Sequence, residues 1–478
     1  MRSLLNASEW DATSRAGQTN GLVLEQSLHR LKCHTGCWSH TKITDNLSRE
    51  ISMFCRLLPI LGLLVMTPNL PIATADEATQ GASVETDWPQ FRGPRGDGTW
   101  RGPKLPDVWP AGGLKQVWKQ SIGGGYAGVS VASGRVYTLD RKTNPEVERI
   151  LCFDAATGKS LWEHTYPVTY GKLDYGNGPR AAPTIEAGHV YTVGAMGDLR
   201  CLEAKTGNVV WSRNYLVDFA GRLPTWGYAA SPLVYGDWLI LQPGGESSSV
   251  IAIERLTGRE VWRSLGDEAG YCTPLVHRAH DQDELVCWTP SHIRSLEART
   301  GKPLWSFPYE ITYGVSIAKP IIQKNFVIVA GYWHGTKAIE LGDTPTNARL
   351  AWEENKFLRG LMSQPLSRDG YVYLLDKQYG LTCFELQSGK KLWDDQNRMT
   401  PRGRNPHASL VWLGDSDRAI ILNEEGDLIL ARLSPEGYHE QCRTRITEFT
   451  WSHPAYSGNH VYVRTDKELV CVSLVDPR

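Results

Sequence analysis

A tryptophan returns seven times along the chain, at Trp118, Trp162, Trp211, Trp262, Trp305, Trp352 and Trp393, with gaps of 41 to 51 residues. Five of these tryptophans stand four residues after the glycine of a short turn: Thr157-Gly158, Thr206-Gly207, Thr257-Gly258, Thr300-Gly301 and Ser388-Gly389. A period of this length marks a repeat architecture, in which one unit cannot bury its own faces and must stack on the next. The unit from Ala182 to Trp211 shows the internal plan. Strand-like runs Ala182–Ile185, Val190–Val193, Leu199–Glu203 and Val209–Trp211 are separated by Gly188-His189, Gly197-Asp198 and Thr206-Gly207. Four short strands joined by hairpins make one blade of a propeller. The glycine of the last turn supplies the positive φ of a bulged hairpin. The acidic residue four places before it (Asp154, Glu203, Glu254, Glu297 or Glu385) is positioned to accept hydrogen bonds from the turn. The tryptophan then covers the outer edge of its blade and packs on the next.

Eight units open near Gly128, Ala182, Ser231, Thr273, Lys319, Gln364, Ser409 and His453. The fifth has an irregular turn, Gly342-Asp343-Thr344-Pro345, and the seventh carries Cys442 near the tryptophan position. The last unit supplies only three strands, and Leu114–Lys119, with Trp118, is the expected fourth. The reading is an all-β, eight-bladed propeller over residues 114–478, its ring closed by an N-terminal strand (114–119). Such closure removes an open sheet edge.

Residues 53–75 read as a secretory signal: a short basic start at Arg56, the apolar run Leu57–Met66, and small residues Ala73-Thr74-Ala75 with cleavage expected after Ala75. Residues 1–52 are read as an upstream extension that is not made, and residues 76–113 as an N-terminal extension of the propeller. The expected location is therefore the periplasm or the extracellular space, with no transmembrane segment in the mature chain. Without residues 1–75 the chain has 44 Lys/Arg and 47 Asp/Glu. That near-balance gives no electrostatic footprint for nucleic acid. Cys152, Cys201, Cys383 and Cys471 recur at one slot of the third strand and read as small buried side chains. Cys272 and Cys287 lie on neighbouring strands of the fourth unit, either free or paired. No zinc or haem spacing is present.

In a propeller the innermost strands line the axial channel, and the loops leading into them ring one mouth. The residues before each opening strand are accordingly the candidate site: Tyr126, Arg180, Trp226, Tyr228, Tyr271, Lys319, Arg359, Gln364, Asn405, His407, Trp451 and His453. Trp226, in a Gly-flanked loop, and Lys319, a lysine directly before a proline where the second and third blades have Ala and Ser, lead the set. Aromatics with a few cations suit a planar anionic ligand or a sugar. Aromatics at these positions equally serve to pack blades together.

The turns Asp154-Ala-Ala-Thr-Gly-Lys-Ser-Leu-Trp162 and Gly389-Lys-Lys-Leu-Trp393 resemble those of the pyrroloquinoline-quinone-like (PQQ-like) repeat family of eight-bladed propellers, over residues 114–474. Trp88-Pro-Gln-Phe-Arg-Gly-Pro94, Trp226-Gly-Tyr-Ala-Ala-Ser-Pro232 and Trp451-Ser-His-Pro454 are similar to a secreted subgroup found in planctomycete-type bacteria. The resemblance implies one of several roles, since the family includes quinoprotein alcohol dehydrogenases, outer-membrane assembly scaffolds and sensor ectodomains. In its enzymes the resemblance implies pyrroloquinoline quinone and Ca²⁺ in the channel, an aspartate base, a tryptophan stacked on the quinone and two adjacent cysteines. This chain has no adjacent cysteines, and neither a calcium triad nor the aspartate base can be placed on its residues. The expected function is a non-catalytic binding or interaction scaffold of the cell envelope, taking an envelope protein or a small ligand in its channel. The alternative is a PQQ-dependent dehydrogenase acting on an alcohol, a sugar or polyvinyl alcohol, and the third reading is a sensor module.

Overall fold

A computed structural model describes residues 86–475, apart from 172 and 361. The expected segments 1–52 and 53–75 lie outside the described residues. Eight antiparallel sheets follow one another as the blades of an eight-bladed β-propeller. Their innermost strands start at Ser130, Thr184, Leu233, Leu275, Ile321, Leu366, Ala408 and Ala455, within two residues of the openings read from the sequence. The strand Gln116–Ser121 pairs antiparallel with Glu468–Ser473, so the eighth sheet also has four strands. Among the described residues no helix is long and apolar enough to cross a membrane.

The repeated turn behaves as its residue types dictate. Asp154 accepts from Thr157 N (2.8 Å) and Thr157 Oγ1 (2.7 Å). Glu203, Glu254 and Glu297 take the Oγ1 of Thr206, Thr257 and Thr300 at 2.6, 2.7 and 2.6 Å. The tryptophan of one blade lies flat on the turn glycine of the next. A Cβ on Gly158 would stand 2.6 Å from Trp118, and one on Gly207 would stand 2.6 Å from Trp162. Glycine is required there for space as well as for its positive φ of 72° and 76°. The indole nitrogens of Trp118, Trp162, Trp211, Trp352 and Trp393 donate to carbonyls of the following blade at 2.9 to 3.1 Å.

Seven of the eight outer strands also carry a β-bulge at their tryptophan, and the seventh blade has its bulge beside Cys442 instead. Trp118, Trp162, Trp211 and Trp393 oppose Cys471, Cys152, Cys201 and Cys383, and one residue before each is skipped in the register. The recurrent cysteines thus give way to the large ring across the strand pair. All seven described cysteines are free, including Cys272 and Cys287.

The apolar core is a series of layers between consecutive sheets. One example is Tyr191, Val193, Leu199 and Cys201 against Leu239, Leu241, Ile251 and Ile253. Polar side chains tie the inner strands sideways. Ala182 N donates to Ser231 Oγ (3.0 Å), Ser231 N to Thr273 Oγ1 (3.0 Å), and Ala408 N to Ser363 Oγ (2.8 Å). Val129 N meets His453 O (3.1 Å), joining the first and eighth blades.

Two features were not expected. A one-turn helix, Tyr215–Asp218, is capped by Asn214 after the second blade. The N-terminal segment, in turn, runs across the lower end of the channel. Trp88 bridges Val131, Pro89 O accepts from Ile185 N (2.8 Å), and Arg92 reaches Leu410 O and Pro365 O (both 3.0 Å). Thr99–Trp100 then adds a parallel fifth strand to the seventh blade.

Candidate functional site

Two kinds of loop meet at the upper mouth: those entering each inner strand, and the turns between second and third strands. They enclose a cavity of about 430 Å³ to which all eight blades contribute. Its floor is Phe91, delivered by the N-terminal segment, with His453 edge-on at 5.0 Å. His407 packs at right angles to His453, 5.2 Å away. Both ring nitrogens of His407 are buried without a hydrogen-bond partner. Burial pushes the His407 imidazolium down to about 4. Burial, with His407 and Arg92 nearby, holds His453 well below the usual histidine range. Both rings are therefore neutral at neutral pH.

Three aromatic groups form the wall. Trp451 gathers Tyr126 (6.1 Å) and Tyr175 (5.8 Å). Trp226 pairs with Tyr271 at 5.6 Å. Trp333 pairs with Tyr332 (4.6 Å) and Tyr313 (6.4 Å), with Lys377 Nζ 4.3 and 4.4 Å from the Tyr332 and Trp333 rings. Tyr175, Tyr313 and Trp333 stay exposed at the rim (47, 70 and 45 %). Arg180 lies 5.4 Å from the Tyr126 ring centre, but its N–H groups go to carbonyls of its own loop: Gly178 (2.6 Å), Gly176 (2.8 Å) and Asp174 (3.3 Å). Asn405 Nδ2 donates to Tyr175 Oη (3.0 Å), and Tyr332 Oη donates to Arg404 O (2.6 Å).

Of the residues read from the sequence, Tyr126, Arg180, Trp226, Tyr271, Gln364, Asn405, His407, Trp451 and His453 come together in this wall. Tyr228, Lys319 and Arg359 do not. Gly227, at φ +74°, turns the chain so that Tyr228 packs between blades, 4.8 Å from the Tyr215 ring, and donates to Pro243 O (2.8 Å). Lys319 points to the lower side, where Nζ donates to Gly96 O (3.0 Å). Arg359 turns to Asp376 (3.4 Å) and Gln378 (3.1 Å).

Reasoning from the opening strands alone missed Phe91, Tyr175, Tyr313, Tyr332, Trp333 and Arg404. One signal was available: Gly331-Tyr332-Trp333-His334-Gly335 is a long, aromatic turn where a two-residue hairpin would suffice.

A calcium–quinone pair does not fit these residues. Calcium takes roughly six to eight oxygens, carboxylates foremost. Asp174 is the single acidic residue in the wall, and among the described residues no group of three or more His, Cys, Asp or Glu could hold a metal.

The family model described as outer membrane protein assembly factor BamB matches residues 110–213 and 146–395. Similar solved structures include BamB from Moraxella catarrhalis, with TM-score 0.53 and 15% identity over 75% of this chain and 97% of that one. The quinohemoprotein alcohol dehydrogenase from Comamonas testosteroni gives TM-score 0.60 and 13% identity over 85% and 83%. A europium-containing methanol dehydrogenase gives 0.52 and 14% over 73% and 84%. At these identities the likeness shows the fold alone. No curated protein matches the sequence.

Proposed function

The chain belongs to the PQQ-like propeller family represented by the BamB model, and on that premise we propose that it is a non-catalytic binding propeller of the bacterial envelope. In this reading it is exported behind the leader 53–75. Its upper cavity holds a neutral ligand with flat apolar faces and hydroxyl edges, that is, a carbohydrate. The observation that carries the proposal is the pairing of Tyr/Trp walls with a floor of uncharged histidines. Aromatic faces stack on the C–H faces of a sugar, while Asn405 and the rim hydroxyls of Tyr175 and Tyr313 offer donors and acceptors to its hydroxyls. Arg180 has committed its donors to backbone carbonyls, so a planar polyanion finds little to bind in that part of the wall. The exposed rim aromatics extend the surface beyond one sugar unit, which suits the end of an envelope glycan.

The test is calorimetric titration with a panel of mono- and oligosaccharides. Saturable binding is expected, weakened at least tenfold by Trp333→Ala or Tyr313→Ala with melting temperature unchanged, because both rings stand at the rim. No saccharide binding, together with saturable uptake of pyrroloquinoline quinone and Ca²⁺, would replace this reading with the dehydrogenase.

A further inference from the structure

A second cavity, of about 230 Å³, lies on the lower side between the N-terminal segment and the inner strands of blades four to six. Two cations face it, and both are buried: Lys319 is 6% exposed and Arg92 5%. The Lys319 ammonium donates to one protein group, Gly96 O at 3.0 Å, and so keeps two N–H donors in hand. The Arg92 guanidinium is held by carbonyls only: Leu410 (3.0 Å), Pro365 (3.0 Å) and Asp97 (3.1 Å). Among the described residues neither cation is in an ion pair. The single acidic residue of this wall, Asp97, is taken up by Arg95 Nε (3.1 Å) and Thr99 N (2.8 Å). His277, in the same wall, turns its Nε2 away to the buried Glu284, whose Oε2 lies 3.7 Å from it.

Burying one unpaired charge costs several kcal/mol, and the like charge beside it adds to that. The loop is nevertheless shaped to hold both. A Cβ on Gly96 would stand 2.9 Å from Lys319 Nζ, and one on Gly98 would stand 2.2 Å from Arg92 Nη2. Glycines at φ +66° and +79° therefore let two backbone carbonyls close around the cations, and they leave open space next to the ammonium.

We propose that this lower cavity is an anion site for a small oxyanion of phosphate or sulfate size, with Lys319 Nζ as its donor and Arg92 as the fixed charge behind it. The anion supplies the missing counter-charge and fastens the N-terminal segment to blades four to six. The site is independent of the upper cavity and of the carbohydrate reading. Burial and the neighbouring Arg92 lower Lys319 to about 8, which leaves it mostly charged at neutral pH.

The test is the melting temperature of the purified protein titrated with sodium sulfate or phosphate, with ionic strength held constant by sodium chloride. A saturable rise of several degrees is expected in the wild type. Lys319→Met removes the buried charge, so it is expected to melt no lower than the anion-free wild type and to lose the anion-dependent rise. Lys319→Arg, which keeps the charge, preserves the rise and stands in if the methionine variant fails to fold. An equal rise in wild type and Lys319→Met is a general salt effect and overturns the proposal. So does the absence of any saturable rise up to tens of millimolar anion.

Discussion

His407 shows how a residue's surroundings set its chemistry. An unfolded histidine titrates near 6.5, whereas this one is pushed down to about 4 by burial. Between those values the unfolded chain binds a proton that the native state refuses. Stability is therefore complete above about pH 6.5 and falls as the pH drops towards 4, by about 1.4 kcal/mol per pH unit for one such group. His453 acts in the same direction. The buried carboxyls of Glu148 and Glu424, raised by desolvation, act in the opposite one. Urea melts of wild type and His407→Gln between pH 4.5 and 7 are expected to differ in slope by close to one proton. Equal slopes would show that His407 carries a proton in the native state. Gly98 makes a second residue-level case. At φ +79°, with Arg92 Nη2 at 2.2 Å from where a Cβ would be, Gly98→Ala is expected to cost about 2 kcal/mol or more. Gly112, with nothing within 4 Å of its Cβ position, is the control, and Gly112→Ala should stay within about 0.5 kcal/mol in the same denaturation experiment.

The tryptophan-on-glycine joint recurs from blade to blade, and its copies differ in one respect that can be measured. Trp211 Nε1 donates to Arg255 O at 3.0 Å, whereas the indole nitrogen of Trp262 is buried without a partner. Phenylalanine removes the N–H in each case. In Trp211→Phe it also orphans a carbonyl, so that variant is expected to be less stable than Trp262→Phe by about 1 kcal/mol, read from matched denaturant melts. These joints are why the fold was legible in the sequence. Asp or Glu, Thr, Gly and Trp each do one local job at fixed spacing, so the repeat announces itself without tertiary information. The bulge before each tryptophan was not legible, because skipping a residue in the register leaves no residue type of its own. Neither were the directions of Tyr228 and Lys319. Both stand at blade openings, but Gly227 turns one into a blade interface and Gly96 draws the other downwards. Phe91 could not be foreseen in the floor, since nothing local shows that a segment outside the repeats crosses beneath them. Trp333, by contrast, was within reach, because its turn is longer and more aromatic than a hairpin needs.

At the scale of the whole molecule, two N-terminal stretches do different work. Residues 87–100 lie under the ring. Asp87 accepts from Ser457 Oγ (2.6 Å) on the eighth blade, Trp88 pairs on the first, Pro89 on the second, Gly96 meets Lys319 of the fifth, Arg92 reaches the sixth and seventh, and Trp100 is fully buried. Residues 116–121 instead complete the eighth sheet, and Trp118 Nε1 donates to Ala155 O of the first blade (2.9 Å). We infer that the second stretch is the one that closes the ring. Two truncations separate the roles. A chain starting at Gly102 loses the floor of the upper cavity and the part of the lower one that Arg92, Gly96 and Asp97 line, but keeps four strands in every blade. It is expected to melt at a lower temperature, yet in one cooperative step. A chain starting at Ile122 loses the outer strand of blade eight as well, exposing the edge of Glu468–Ser473 and baring the Gly158 turn that Trp118 covers. An open, unpaired edge recruits other chains. That variant is therefore expected to unfold without a single cooperative transition and to run as oligomers in size-exclusion chromatography. If both truncations lost cooperativity alike, the segment beneath the channel would belong to the closing element too, and the propeller would depend on its floor as much as on its eighth blade.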